Sequence, residues 1–271
     1  MKYAVGIVLY NPKDESLTNM LDYFSCFDFV YIYDNSDENI SSSLLSTVKT
    51  KSNVYFTEHV NNGLAVAYNF FLQQSKKDKV DYLCTMDQDS LFKEKDILSV
   101  KEFINSENLC SVGIVAPFAI YQTNQNIKLP SNYIEREKVI SSGSFINIGV
   151  IGDIVFDENY FIDRLDYDFC KQIRNTGLKI YKLGFAKLYQ KIGEGKRCSH
   201  SLIRHYYNYR NMFYFHSKFY GRVKSFFLSL RLTLLHMWKI ILNEPQKSKK
   251  IMIVFKAYKD YKNKRMGKAA F

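Results

Sequence analysis

Over the first half of the chain, short apolar runs rich in β-branched and aromatic residues alternate with stretches whose apolar positions recur at helical spacing. The pattern predicts strands over residues 3–9, 29–33, 54–58 and 82–86, each followed by a helix, over 16–24, 42–48, 64–74 and 95–105. Such alternation is the mark of a parallel sheet with crossover helices. The second half is less regular: strands are predicted at 112–116, 139–148 and 179–183, with one helix at 164–175 closed by Thr176-Gly177. From Ile203 onward the pattern is helical and basic, with a soft boundary near Lys196 that separates a domain of residues 1–195 from an extension of residues 196–271.

In sheets of this kind ligands sit beyond the carboxyl ends of the strands. The residues to examine are therefore Tyr10-Asn11-Pro12, Asp34-Asn35-Ser36-Asp37, Asn61-Asn62-Gly63 and Asp87-Gln88-Asp89-Ser90.

Charge changes the picture only once it is located. The net +11 invites a nucleic-acid partner. Residues 196–271, however, hold 18 Lys and Arg against two acids, Glu244 and Asp260, so the first 195 residues carry −5. The five cysteines, Cys26, Cys84, Cys110, Cys170 and Cys198, are odd in number and never form C-x-x-C, which argues against a disulfide framework or a zinc knuckle and fits a reducing cytosol. The opening apolar stretch runs into Asn11-Pro12 and reads as a strand rather than a signal peptide. The most apolar later segment, 226–242, is broken by Ser229, Arg231, Thr233, His236 and Lys239, so no membrane crossing is expected.

Asp87-Gln88-Asp89 follows a buried apolar run and places two carboxylates on one turn, a hard oxygen site suited to Mg²⁺ or Mn²⁺ holding a diphosphate. An ordinary acidic turn, or an aspartyl nucleophile for phosphoryl transfer, fits the triplet equally well. Asp34 through Asp37 offers acceptors to a base edge or ribose, against the alternative of an Asx turn. Asn61 through Asn69 puts Gly63 in a turn before a small-residue helix, which suits either close ligand approach or close helix packing. In the segment 161–170, Asp163 at an N-cap and Asp166 three residues on satisfy helix-dipole preference, while Leu165 and Phe169 would partly desolvate Asp166, as a general base requires. The five histidines show no metal-binding spacing, and neither a G-x-S-x-G elbow nor a P-loop occurs.

Taken together these segments resemble the family 2 glycosyltransferases with the GT-A fold, and among them the bacterial rhamnosyltransferase group that builds surface polysaccharides. The resemblance runs through the opening strand and Tyr10-Asn11-Pro12, Asp34-Asn35-Ser36, the N-x-G-x-A-x-A-x-N of Asn61–Asn69, and Asp87-Gln88-Asp89. It continues through Ser142-Gly143-Ser144, Phe156-Asp157-Glu158, Phe161-Ile162-Asp163 with Asp166, Tyr206-Tyr207-Asn208-Tyr209-Arg210-Asn211, and the ending Lys259-Asp260 with Gly267-Lys268. It implies a Rossmann-like, mostly parallel α/β sheet flanked by helices. It makes Asp166 the catalytic base, Asp89 the principal metal ligand with Asp87 toward the sugar or ribose, and Tyr10, Asp34, Asn35, Asn61, Gly63 and Asn69 the nucleotide-sugar contacts. Ser142, Gly143, Asp163 and Asp168 fall on the acceptor side. Two positions depart from the family: its metal-ligating His is matched by Gln190, and Tyr261 stands where its terminal motif has Gly.

The function so implied is that of an inverting hexosyltransferase using Mg²⁺ or Mn²⁺, with dTDP-L-rhamnose or another sugar nucleotide such as a UDP-sugar as donor. A lipid-linked saccharide would be the acceptor, at the inner face of the cell membrane, with an anionic lipid surface as partner, no nucleic acid, and room for a homodimer. The helix over 222–242 carries the expectation of peripheral attachment, its apolar positions flanked by Arg222, Lys224, Arg231 and Lys239. Readings from other classes are a Mg²⁺-dependent phosphatase or nucleotidyltransferase built on Asp87 and Asp89, and a nucleic-acid-binding protein using the basic extension.

Overall fold

A computed structural model describes residues 1–37, 46, 48, 53–57, 60–121, 129–190 and 201–269. In chain order the strands are β1 (Tyr3–Leu9), β2 (Phe29–Asp34), β3 (Val54–Phe56), β4 (Tyr82–Asp87), β5 (Ser90–Phe92), β6 (Val112–Tyr121), β7 (Tyr133–Glu135), β8 (Ser144–Asn147) and β9 (Lys179–Gln190). The helices are α1 (Asp14–Leu21), α2 (Leu64–Lys77), α3 (Glu94–Ser106), α4 (Ile148–Ile151), α5 (Leu165–Asn175), α6 (Leu202–Phe219), α7 (Arg222–Asn243) and α8 (Lys247–Lys262).

The wholly buried run of β1 sits between β2 and β4, both parallel to it, in the sheet order β3-β2-β1-β4-β8-β6-β9-β5, with β7 also paired to β9. Successive β1 side chains enter different cores. Tyr3, Val5, Ile7 and Leu9 pack with Leu17 and Met20 of α1 and Ile97 and Val100 of α3, whereas Ala4 and Val8 pack with Phe71 of α2 and Phe169 of α5. On the second face Gly6 faces Phe71 so closely that an added Cβ would lie 2.3 Å from the ring, which fixes how near α2 approaches the sheet.

The α/β sheet flanked by helices matches expectation, but the sheet is mixed rather than mostly parallel. β8 runs antiparallel to both β4 and β6, and β5 and β7 run antiparallel to β9. The strand expected over 139–148 shrinks to Ser144–Asn147, because Gly143 at φ 76° turns the chain and its N–H bonds to the Thr85 carbonyl at 2.7 Å. The strand expected to stop at 183 continues to Gln190 past an irregularity opposite Pro117 and Phe118. Most of the helix expected over 42–48 lies outside the described residues, as do Glu58, His59, Lys191 to Gly193, the boundary at Lys196, Cys198 and His200.

Helices α6, α7 and α8 form a third core around Tyr206, Tyr209, Met212, Phe213, Ile240, Val254 and Ala257. Only Ser229 and Ile240 of α7 are buried, and Trp238 is 63% exposed. By length and composition α7 is long and apolar enough to cross a membrane.

Candidate active site

Connections from β1 lead through β2 to β3 on one side, and the chain then returns to β4 on the other, so the crevice of this sheet lies between the carboxyl ends of β1 and β4. Gln88 bridges it. Its side-chain amide accepts from the Tyr10 N–H at 2.8 Å and donates to the Tyr10 carbonyl at 2.9 Å, tying the end of β1 to the D-x-D turn. Beside it, the Asn11 N–H donates to Ser36 Oγ at 2.8 Å. Asp34 is buried, and its Oδ1 accepts from the Ser36 N–H at 3.1 Å, which is the Asx turn weighed above. The groups that reach the surface here belong to Tyr10 and Asp37: Asp37 accepts from the Tyr10 hydroxyl at 2.5 Å and from Asn61 Nδ2 at 2.7 Å.

Across the crevice three carboxylates share one electrostatic environment. Burial, then the charges of Asp89 and Asp166, push the pKa of Asp87 up to about 6; the Tyr68 hydroxyl, donating to Asp87 Oδ1 at 3.3 Å, and the more distant Arg204 oppose the rise. Asp166 is likewise raised to about 6, chiefly by burial and then by Asp163, against a hydrogen bond from the Tyr167 N–H at 2.9 Å and the charge of Lys138. Asp166 borders a small apolar pocket formed by Val139, Ile146, Phe156, Phe169 and their neighbours. A carboxylate so placed is a stronger proton acceptor than one in water.

Several other sequence-predicted site residues are brought close to this crevice but build its walls. Asn35 Oδ1 accepts from the Gly63 N–H at 3.0 Å, and the next amide, of Leu64, donates to the Phe161 carbonyl at 2.9 Å. These two amides at the start of α2 are therefore engaged within the protein. Gly63, at φ 92°, is required by packing, since a Cβ would stand 2.7 Å from the Phe161 carbonyl oxygen. Asn69 is held by the Phe156 backbone, donating to its carbonyl at 2.9 Å and accepting from its N–H at 2.8 Å, so it positions the following loop. Ser142 and Gly143 are buried beneath the D-x-D turn; Ser142 Oγ accepts from the Asp87 N–H at 3.1 Å and donates to Ser90 Oγ at 2.8 Å. They support the D-x-D turn from below.

The N-cap of α5 is Arg164, in a left-handed conformation and without a side-chain cap, and not Asp163. Asp163, also at positive φ, instead faces Arg204 Nε at 3.4 Å, while its carbonyl and that of Ile162 accept from Asn211 Nδ2 at 3.0 and 2.6 Å. Asp168 is buried against Lys218 Nζ at 2.8 Å and Gln172 Nε2 at 2.6 Å.

Residues 14–156 match the model of glycosyl transferase family 2, a stretch that includes Asn35, the D-x-D and the turn beneath it. The chain belongs to glycosyl transferase family 2. It is thus a glycosyltransferase of the GT-A fold, and the phosphatase reading of its D-x-D gives way. A dTDP-rhamnosyl transferase of Shigella flexneri, RfbF, is 27% identical over 239 residues, which are 78% of each chain. Among solved structures, GalNAc-T7 with UDP, GalNAc and Mn²⁺ superposes with a TM-score of 0.59 at 12% identity, over 78% of this chain and 46% of that one. This chain therefore spans less than half of that relative. The TarS fragment 1–349 of S. aureus with UDP-GlcNAc gives 0.54 at 15% identity, over 95% of this chain and 72% of that one.

The residues present fit a hard divalent cation carried with a diphosphate. Asp87 and Asp89 raise the cost of each other's charge, which a cation between them would relieve. Among the described residues no group of three or more His, Cys, Asp or Glu is gathered to hold a metal ion on protein ligands alone. Gln190, where the family has His, pairs in register with Ser90 and donates to its Oγ at 3.4 Å, next to Asp89.

Sequence reasoning missed Tyr68, Gln88 and Arg204 as parts of this site. Tyr68 is a core residue with only its hydroxyl reaching Asp87. Gln88 was the unassigned middle of D-x-D. Arg204 was counted with the basic extension, although its position two residues past the start of α6 brings it back to Asp163.

Proposed function

We propose that the chain transfers L-rhamnose from dTDP-L-rhamnose, with inversion, to a saccharide on a lipid carrier, in the synthesis of a cell-surface polysaccharide. The observation that carries the donor is the similarity to the dTDP-rhamnosyl transferase RfbF over more than three quarters of both chains. A UDP-sugar is the second reading, favoured by the UDP-GlcNAc complex of the TarS neighbour.

In this reading Asp87 and Asp89 would hold Mg²⁺ or Mn²⁺, which when bound would supply charge neutralisation to the diphosphate leaving group. Asp166, held by the Tyr167 N–H and kept basic by its apolar pocket, takes the proton from the acceptor hydroxyl as that oxygen attacks the anomeric carbon from the face opposite the leaving group. Tyr10 covers the base, with its hydroxyl fixed by Asp37.

Thermal denaturation with dTDP, UDP, GDP and CDP, each with and without Mn²⁺, tests the donor. A ligand at a hundredfold excess over its Kd stabilises the folded chain by about 2.7 kcal/mol. The expected order places dTDP and UDP ahead of CDP and GDP, with dTDP first. A GDP preference would reject this donor, and no shift with any nucleotide would remove the donor site.

The place of action is the cytoplasmic face of the membrane, reached peripherally. Support comes from α7 and α8, which present Val223, Phe226, Phe227, Leu234, Trp238, Met252 and Phe255 to solvent beside Arg222, Lys224, Arg231 and Lys239. Flotation with anionic vesicles should recover the protein in a salt-reversible manner. Equal recovery with neutral vesicles, or none with either, would reject this attachment.

A further inference from the structure

After α8 the chain does not leave the molecule but folds back along the crevice. The Arg265 N–H bonds to the Asp260 carbonyl at 2.9 Å, the Gly267 N–H to the Asn159 carbonyl at 3.0 Å, and the Ala269 N–H to the Tyr207 hydroxyl at 2.9 Å. Arg210, only 1% exposed, holds the same segment from below: Nη1 donates to the Arg265 carbonyl at 3.2 Å and Nη2 to the Gly267 carbonyl at 2.7 Å, and its guanidinium lies 5.0 Å from the centre of the Tyr207 ring. Burying a guanidinium is costly unless its donors are satisfied, and here two of them serve this one segment. Gly267, at φ 73°, then turns the chain so that Lys268 stands over the Phe161 ring with its ammonium 3.5 Å from the Asn61 carbonyl and 3.9 Å from Asp37 Oδ1.

We propose that Lys268 is a donor-binding residue that contacts the diphosphate of the sugar nucleotide. The inference rests on the donor site described above and names a contact for its phosphates. Charge makes the case. The crevice gathers Asp37, Asp87, Asp89, Asp163 and Asp166; a divalent cation on Asp87 and Asp89 would offset those two, and Lys138 and Arg164 lie within electrostatic reach of Asp166, Arg164 also of Asp163. A nucleotide-sugar diphosphate brings two further negative charges toward the remaining three carboxylates. The described cations that reach the crevice from the helical region are Arg204, at Asp163, and Lys268, at Asp37.

The hold on Lys268 is also that of a group available to a ligand. Its side chain is 56% exposed and its ion pair is long, whereas Lys218, 27% exposed, lies 2.7 and 2.8 Å from two carboxylates. Turning the Lys268 ammonium from Asp37 to a phosphate oxygen exchanges one exposed, screened pair for a charge-assisted hydrogen bond.

The test compares Lys268→Ala and Lys268→Arg with the unsubstituted protein in thermal shift and calorimetric titration, using dTDP and dTMP with Mn²⁺, and in steady-state turnover of the sugar nucleotide. Lys268→Ala is expected to weaken dTDP about tenfold while leaving dTMP within about twofold. It should raise the donor KM with little change in kcat, and Lys268→Arg should restore most of the loss. Equal dTDP affinity in Lys268→Ala and the unsubstituted protein would overturn the proposal, as would equal losses for dTDP and dTMP, which would assign Lys268 to packing of the Asp37 loop. If no nucleotide stabilises the unsubstituted protein, the donor site itself fails and the proposal with it, an outcome distinct from the other two.

Discussion

Asp166 and Asp168 lie two positions apart in the first turn of α5, and because a helix turns about 100° per residue they look out on nearly opposite sides. Asp168 meets the helical region. Lys218 of α6 reaches both it and Asp157, at 2.8 and 2.7 Å, and the Tyr214 hydroxyl donates to Asp157 at 2.8 Å. Asp166 meets the crevice, where its neighbours are the apolar pocket and other carboxylates. Burial raises the pKa of both, but for Asp168 the opposing partner is a nearby ammonium, and for Asp166 it is mainly a backbone amide. The comparison separates a carboxylate that ties two parts of the molecule together from one kept reactive by the absence of such a tie.

The largest expected effect breaks the reactive side. Asp166→Asn keeps an acceptor for the Tyr167 N–H but removes the base, so kcat should fall by roughly 10²- to 10⁴-fold, with the dTDP shift nearly unchanged. Asp168→Asn and Asp163→Asn should cost far less turnover in protein that is folded. Turnover of Asp166→Asn close to that of the unsubstituted protein would move the base elsewhere.

The next effect breaks the structural side. Lys218→Met leaves Asp157 and Asp168 without their shared cation; burial already opposes the charge of both, and at Asp157 only Lys218, the Asn159 N–H and the Tyr214 hydroxyl bring the pKa below the ordinary value. Unpairing a buried carboxylate costs about 3 kcal/mol, to be read as a lower denaturant midpoint at pH 7. An unchanged midpoint would show that the tie between α5 and α6 contributes nothing.

The same contrast explains what the sequence revealed. The β1, β2 and β4 runs and the D-x-D were legible because strand periodicity and the loops after parallel strands are local properties. The burial of Asp166 was legible for the same reason, from its flanking Leu165 and Phe169. Asp168 was not, because its partner lies fifty residues on, at Lys218, and nothing local distinguishes a carboxylate that will be paired from one that will not. The family resemblance implied that Gly63, Asn69 and Ser142 are ligand contacts, but in the fold the protein's own backbone engages them, at Phe161, Phe156 and Asp87. The strands β5 and β7 have three residues each, too few to show a period.

The smallest effect sharpens the comparison through pH. The folded-state pKa of Asp166, about 6 against an ordinary 3.8, means that the folded protein binds this proton more tightly than the unfolded chain does. The stability it contributes is fully present below about pH 3.8, declines as pH rises through about 6, and is absent above that; turnover, which needs the ionised base, should rise over the upper part of that window. Asp166→Asn removes the buried charge, so at pH 7.5 it should melt roughly 2–4 °C above the unsubstituted protein, and the difference should vanish near pH 4. Scanning calorimetry at the two pH values measures it. A mutant less stable at pH 7.5 would mean that the Asp166 carboxylate, like that of Asp168, is bound by a cation in the folded protein, and the distinction between the two sides of α5 would be lost.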